Sequence, residues 1–189
     1  MRLRQVVTAR LAGRRVFELA CGTGYWTAVY APVVTGAVAT DRSPEMLSLA
    51  RSRMEWGPRV AFRPGDAFAP DAVPGEFDAC FAGFWWSHVS RPMLAPFLSA
   101  LHRRLASGTV VLLVDNRFVE GSNIPIARWD ADGNSYQQRM LTDGRTFDVL
   151  KNFPTAEELL TAIRSEGGIQ VEVGEFTYYW YATYVVGPA

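Results

Sequence analysis

Short apolar runs alternate with amphipathic stretches along most of the chain, and that rhythm sets the expected elements. Residues 3–12 carry Leu3, Val6, Val7 and Leu11 on one side and predict a short amphipathic helix. Residues 16–20, Val-Phe-Glu-Leu-Ala, predict a short buried strand that runs into Cys21-Gly22-Thr23-Gly24. A helix is expected over 25–31, stopped by Pro32. A second strand is expected at 37–40, ending at Asp41. Ser43-Pro44-Glu45 then predicts a helix start, with Ser as N-cap and Pro in the first turn, running to about Met54. A third strand at 60–63 leads into Pro64-Gly65-Asp66, and a fourth covers 77–82. Residues 93–105 set Leu94, Phe97, Leu98, Leu101 and Leu105 on one helical face, with Gly108 beyond its end. Residues 109–114, Thr-Val-Val-Leu-Leu-Val, are an apolar run after the first position, as in a strand buried on both faces.

The rhythm breaks at 116–152, a polar stretch of roughly 35 residues with weak periodicity, too long for a plain connection. A functional insertion or a substrate-side loop is expected there. Thr155 and Glu158 form a capping-box pattern ahead of a helix over 155–166. Residues 169–173 and 176–186 read as two closing strands joined tightly at Gly174-Glu175, hence an antiparallel pair at the sheet edge. The sum is one α/β domain over 1–189: a doubly wound, mostly parallel seven-stranded sheet with an antiparallel C-terminal hairpin.

About half of the 189 residues are apolar and the formal charge is zero, from 19 basic and 19 acidic groups. A soluble globular protein fits, and nothing in the balance draws the chain toward nucleic acid. The arginines at 2, 4, 10, 14 and 15 suit a solvated helix face. No apolar run reaches the ~18 residues of a membrane span, and no signal peptide is evident at the start. Cys21 and Cys80 fall at predicted strand ends as small buried thiols, and no Cys/His spacing suits a metal. A cytoplasmic location without membrane partners is expected.

Chemistry concentrates at the strand ends. Gly22 and Gly24 let the backbone bend sharply after the first strand and approach a ligand closely. In a doubly wound sheet this turn borders the crevice where such folds bind ligands. Asp41, followed by Arg42, ends the second strand, where a carboxylate accepts both hydroxyls of a ribose. Asp66 follows the third strand, placed to reach an adenine amino group, and the fourth opens into the same crevice at Gly83 and Phe84.

Over nearly its whole length the sequence resembles the class I S-adenosylmethionine-dependent methyltransferases of the small-molecule type. Glu18 to Gly24 is similar to that family's E-x-x-x-G-x-G turn, with Ala20 where a further glycine often stands; alanine is tolerable there if its φ is negative. The resemblance implies a Rossmann-like fold and S-adenosylmethionine as cofactor. It implies that Glu18 orients the methionine ammonium, directly or through water, and that Asp41 binds the ribose; Arg42 beside it is a further cofactor-binding candidate. Met46 would cover the adenine, Asp66 and Ala67 would read its edge, and Gly83 and Phe84 would line the sulfonium region.

The acceptor side is less specific. His88 lies just past the fourth strand and is the candidate base; a loop-fastening role is its structural alternative. His102 resembles a routine solvent-facing helix end, and Asp78 a structural residue. Phe84, Trp85 and Trp86 could pack a substrate or a sulfonium. Asn116, Arg117, Arg128, Trp129, Tyr136 and Arg139 are candidate substrate contacts in the insertion. Fifteen residues precede Val16, fewer than the family's lid helices need, so the expectation is a lid from the second subunit of a homodimer, an open site, or a chain that begins later than its relatives. The rival readings are an NAD-type oxidoreductase, disfavoured by Thr27 at the third glycine position, and a cofactor-binding module without catalysis.

Overall fold

The computed structural model describes residues 2–54 and 56–188. Ten strands and five α-helices follow one another along them. Helix α1, Arg2–Leu11, buries Leu3, Val7 and Leu11 at a spacing of four and leaves its arginines outward. Strand β1 is Arg15–Leu19, α2 Tyr25–Tyr30, β2 Gly36–Asp41, α3 Pro44–Ser52 and β3 Val60–Pro64. Strand β4 is Ala79–Gly83, α4 Leu94–Arg104 and β5 Val110–Asn116. The polar insertion forms β6 Ile126–Trp129, β7 Ser135–Met140 and β8 Thr146–Leu150; α5 Ala156–Ser165, β9 Gly168–Glu175 and β10 Tyr179–Val186 close the chain.

Seven strands make one sheet in the order β3-β2-β1-β4-β5-β10-β9. All neighbours are parallel except β10, which runs antiparallel to both β5 and β9. Strand order reverses between β1 and β4, so the crevice of the fold lies at their carboxyl ends.

Two-residue alternation divides the core into two layers. Phe17 and Leu19 of β1, Cys80 of β4, Val111 and Leu113 of β5 and Trp180 of β10 pack against α4 and α5. Val16, Phe81, Leu112 and Val114 point the other way, against α1 and α2 through Leu3, Val7, Trp26 and Tyr30. Ser43 caps α3 by accepting from the Met46 N–H, and Thr155 with Glu158 completes a capping box on α5. No helix among the described residues is long and apolar enough to cross a membrane.

Two expectations need correction. The insertion is a three-stranded antiparallel sheet, β6-β7-β8, rather than an unpatterned loop. The final hairpin turns at residues 176–178: Gly174 lies inside β9 opposite Tyr181, whose ring covers the space a Cβ at 174 would need.

Candidate cofactor site at the sheet switch point

The turn after β1 is built by backbone strain and by one carboxylate. Ala20, Gly22 and Gly24 all have positive φ, at 49°, 55° and 73°. A negative φ at Ala20 was the condition for alanine there, and the structure overturns it: this residue carries the strain that a glycine would relieve. Asp41, at the end of β2, accepts from the Gly22 N–H at 2.8 Å through Oδ2 and from the Ser43 N–H at 2.9 Å through Oδ1. One buried side chain thus ties the glycine turn to the start of α3. Each oxygen retains a free lone pair.

Glu18 lies beneath this turn, 1% exposed, facing α2. Its Oε2 accepts from the Thr27 hydroxyl and from Tyr30 Oη at 2.6 Å. Burial pushes the Glu18 carboxyl up to about 7; the two hydroxyl bonds oppose that rise, and the charge of Asp41 adds to it. The Cys21 thiol is pushed far up by burial, then by the charges of Glu18 and Asp41.

A cavity of about 950 Å³ opens above the turn, within the size range of small-molecule sites. Residues 20–23 form one wall, Gly83 and Phe84 at the end of β4 another, and Tyr25 with Trp26 of α2 a third. Helix α1 contributes Leu3 and Arg4, and β10 contributes Tyr179. Helix α1 therefore forms part of the cavity wall. Phe84, with φ 59°, holds its ring between Trp26 and Tyr179, at centroid distances of 5.8 and 5.9 Å. The Arg4 guanidinium lies 5.3 Å over the Tyr25 ring and donates to its hydroxyl.

Of the cofactor candidates, Ala20, Gly22, Gly83 and Phe84 line this cavity. Glu18, Gly24, Asp41, Arg42, Met46, Asp66 and Ala67 stand off its walls. Asp66 is exposed and accepts from the Phe68 N–H at 2.9 Å, while the Ala67 side chain belongs to the core. Arg4, Tyr25, Trp26 and Tyr179 were missed. Trp26 and Tyr25 open the helix after the glycine turn, which is the signal that could have found them; Tyr179 is signalled by nothing local.

His88 sits in a 3-10 turn, Trp86–His88, and is not on the cavity wall. Desolvation lowers its pKa, the Lys151 charge lowers it further and Asp115 opposes both. Trp86 is buried against Trp180, and Trp85 packs on Phe68 and Phe97, so Phe84 alone of the aromatic trio faces the cavity. His102 is not a free helix end: its Nδ1 meets the Glu166 carbonyl at 2.7 Å and its Nε2 the Tyr184 hydroxyl at 2.9 Å. Asp78 accepts from the Arg15 N–H at 2.7 Å and fixes the start of β1. None of the six insertion candidates lines the cavity; Arg128 pairs with Asp148, Tyr136 donates to Asp130, and Arg117 pairs with Glu175. Among the described residues no cluster of His, Cys, Asp and Glu is placed to hold a metal ion.

The cavity suits a nucleoside-bearing ligand on two counts. A Cβ built at Gly22 meets nothing within 4 Å, so the missing side chain leaves a cradle against the backbone. The Trp26 and Phe84 rings, 5.8 Å apart, give the wall beside that cradle an apolar aromatic face.

Comparison with known proteins agrees. Residues 16–108 match the family described as methyltransferase domain, a span holding every cofactor candidate and His88. The ubiquinone biosynthesis O-methyltransferase of Methylococcus capsulatus is 33% identical over 138 residues, covering 71% of this chain and 55% of its own. The magnesium-protoporphyrin O-methyltransferase of Rhodobacter capsulatus is 32% identical over 114 residues, covering 57% of this chain and 50% of its own. The chain therefore spans about half the length of these curated relatives. A solved complex of DhpI with SAH is 31% identical, with a TM-score of 0.78, and covers 99% of this chain and 83% of that one. Strand order, glycine turn and relatives converge: the chain belongs to the class I S-adenosylmethionine-dependent methyltransferases.

Proposed function

We propose that this protein transfers the methyl group of S-adenosylmethionine to a small-molecule acceptor. The observation that carries the reading is the cavity itself, formed where the glycine turn, the end of β4 and helix α1 meet. Bound S-adenosylmethionine supplies a methyl group already activated by its sulfonium, which leaves the protein to supply position and, for a weakly acidic acceptor, a base.

The chain's residues divide that work. Asp41 keeps lone pairs for ribose hydroxyls while its backbone bonds hold it still. The Ala67 N–H, unpaired among the described residues, and Asp66 beside it offer a donor and an acceptor to a base edge, with Met46 covering its face. Gly22 admits the close approach of the ligand, Gly24 shapes the turn with it, and Arg42 stands next to Asp41 on the solvent side. Glu18 fixes the floor and provides charge toward an ammonium group. Arg4 suits the carboxylate at the same end. Phe84, Trp26 and Tyr179 present apolar rings that exclude water from the reacting region.

His88 is assigned as the acceptor-side base. Its lowered pKa favours the neutral ring near pH 7, the form that accepts a proton. The test is incubation with methyl-labelled cofactor and a panel of hydroxylated and carboxylated small molecules, with wild type beside His88→Ala. Label is expected in one acceptor class with matching release of S-adenosylhomocysteine, and a large loss in the variant. Full turnover by His88→Ala removes the base. Cofactor binding without transfer across the panel makes the chain a binding module instead.

A further inference from the structure

Behind the end of β5 lies a buried ion pair that the cofactor site does not use. Lys151 is the single lysine of the chain, against eighteen arginines, and it is 5% exposed. A lysine is rarely buried without a dedicated partner. Its Nζ stands 3.3 Å from Asp115 Oδ1 and donates to Ser87 Oγ at 2.7 Å. Asp115 is 0% exposed, and its Oδ2 accepts from the Ser87 N–H at 2.9 Å. The adjoining Asn152 N–H donates to the Ser87 carbonyl at 2.8 Å, and the Asn152 amide donates to the Val89 carbonyl at 3.0 Å.

Three elements meet here. Asp115 is on β5, Ser87 is in the turn that leaves β4, and Lys151 follows β8 of the insertion. Ser87 is gripped at its N–H, carbonyl and hydroxyl, so the residue before His88 has little freedom. A buried pair is costly to desolvate and is weak evidence for stability in itself. Its better-attested use is to fix one arrangement of elements that apolar contacts would leave free to slide.

We propose that Lys151 is a positioning residue for the acceptor side of the site: paired with Asp115 and bonded to Ser87, it clamps the insertion sheet to the ends of β4 and β5 and sets the place and charge environment of His88. This rests on the reading of His88 as the acceptor-side base. The charged groups around His88 are Lys151 from the end of β8, Asp115 from β5 and Arg139 from β7. Arginine at 151 would bring a planar fork in place of a compact ammonium, a poor match to one hydroxyl and one carboxylate oxygen.

The experiment is NMR titration of the His88 ring in wild type and Lys151→Met, with S-adenosylhomocysteine calorimetry on both. Removing the nearby positive charge while Asp115 stays is expected to raise the His88 midpoint, with S-adenosylhomocysteine affinity kept within about twofold. Exchange of the Asn152 amide is expected to quicken by about tenfold or more as the clamp opens. An unchanged His88 titration in folded Lys151→Met overturns the proposal. Should that variant fail to fold with Asp115 left unpaired, the pair is neutralised as a unit by Asp115→Asn with Lys151→Met. Quickened Asn152 exchange with a moved His88 titration then supports the clamp, and wild-type values overturn it. In wild type labelled with 15N-lysine, one slowly exchanging ammonium signal is expected, and its absence also overturns the proposal. Absence of S-adenosylhomocysteine binding by wild type would count against the proposed function and leave the His88 titration to be judged separately.

Discussion

Gly83 and Trp26 compete for one volume: a Cβ at position 83 would lie 2.5 Å from Trp26 Cδ1. Trp26 forms part of the cavity wall and Gly83 ends the strand beneath it. Gly83→Ala is therefore expected to push the indole toward the cavity. Overpacking of this kind costs about 1–3 kcal/mol. The expected readings are a lower urea midpoint and S-adenosylhomocysteine affinity weakened by about tenfold, ~1.4 kcal/mol. Wild-type affinity in a folded variant would show that the indole yields elsewhere.

Ala20→Gly acts in the opposite direction. Alanine at φ 49° bears a left-handed strain of about 1–2 kcal/mol. Glycine relieves it and returns roughly 0.5–1 kcal/mol in unfolded-state entropy. A net gain of up to about 1 kcal/mol is expected from urea unfolding. A loss would mean that the Ala20 methyl makes packing contacts worth more than the strain.

Glu18 gives stability a definite pH dependence. Its folded pKa of about 7 exceeds the ordinary 4.5, so between these values the folded chain binds more protons than the unfolded one. Stability is then full below pH 4.5, falls as pH rises toward 7, and is level above it as far as this group is concerned. The loss is on the order of 3 kcal/mol. Glu18→Gln removes the ionisation, so its unfolding free energy is expected to exceed wild type at pH 8 and to lack the Glu18 part of the slope between pH 5 and 7. Parallel wild-type and variant profiles would contradict the buried carboxyl.

Cys21 lines the cavity, yet burial with two nearby carboxylates holds its thiol protonated, and Cys80 is buried with its thiol likewise pushed far up. The thiolate is the reactive form. Native protein at pH 8 is expected to resist iodoacetamide at both cysteines, whereas urea-unfolded protein reacts at both. Rapid native labelling of Cys21 would refute the electrostatic environment described here.

The sequence made some of this legible and hid the rest for physical reasons. Strands β1, β2 and β5 are buried on both faces, so their apolar runs announce them. The strands of the insertion do not, because their buried positions are Ser135 and Gln137, satisfied by hydrogen bonds rather than by apolar packing. Gly174 looks like a turn residue but makes room for Tyr181 across the strand, a pairing set by register. His102 looked solvent-facing since its two partners, Glu166 and Tyr184, lie more than sixty residues away. The glycine turn and Asp41 could be read because local spacing determines them. The sign of φ at Ala20 could not, since the next residue is bonded from its N–H to the Thr40 carbonyl of a neighbouring strand, a contact that local spacing does not announce.

The central claim is that the switch-point cavity is the family's cofactor site, and isothermal titration of the folded chain with S-adenosylhomocysteine tests it most directly. One saturable site per chain is expected, weakened when Asp41→Ala removes the carboxylate that holds Gly22. No heat of binding by folded wild type, or equal affinity in a folded Asp41→Ala variant, would contradict it.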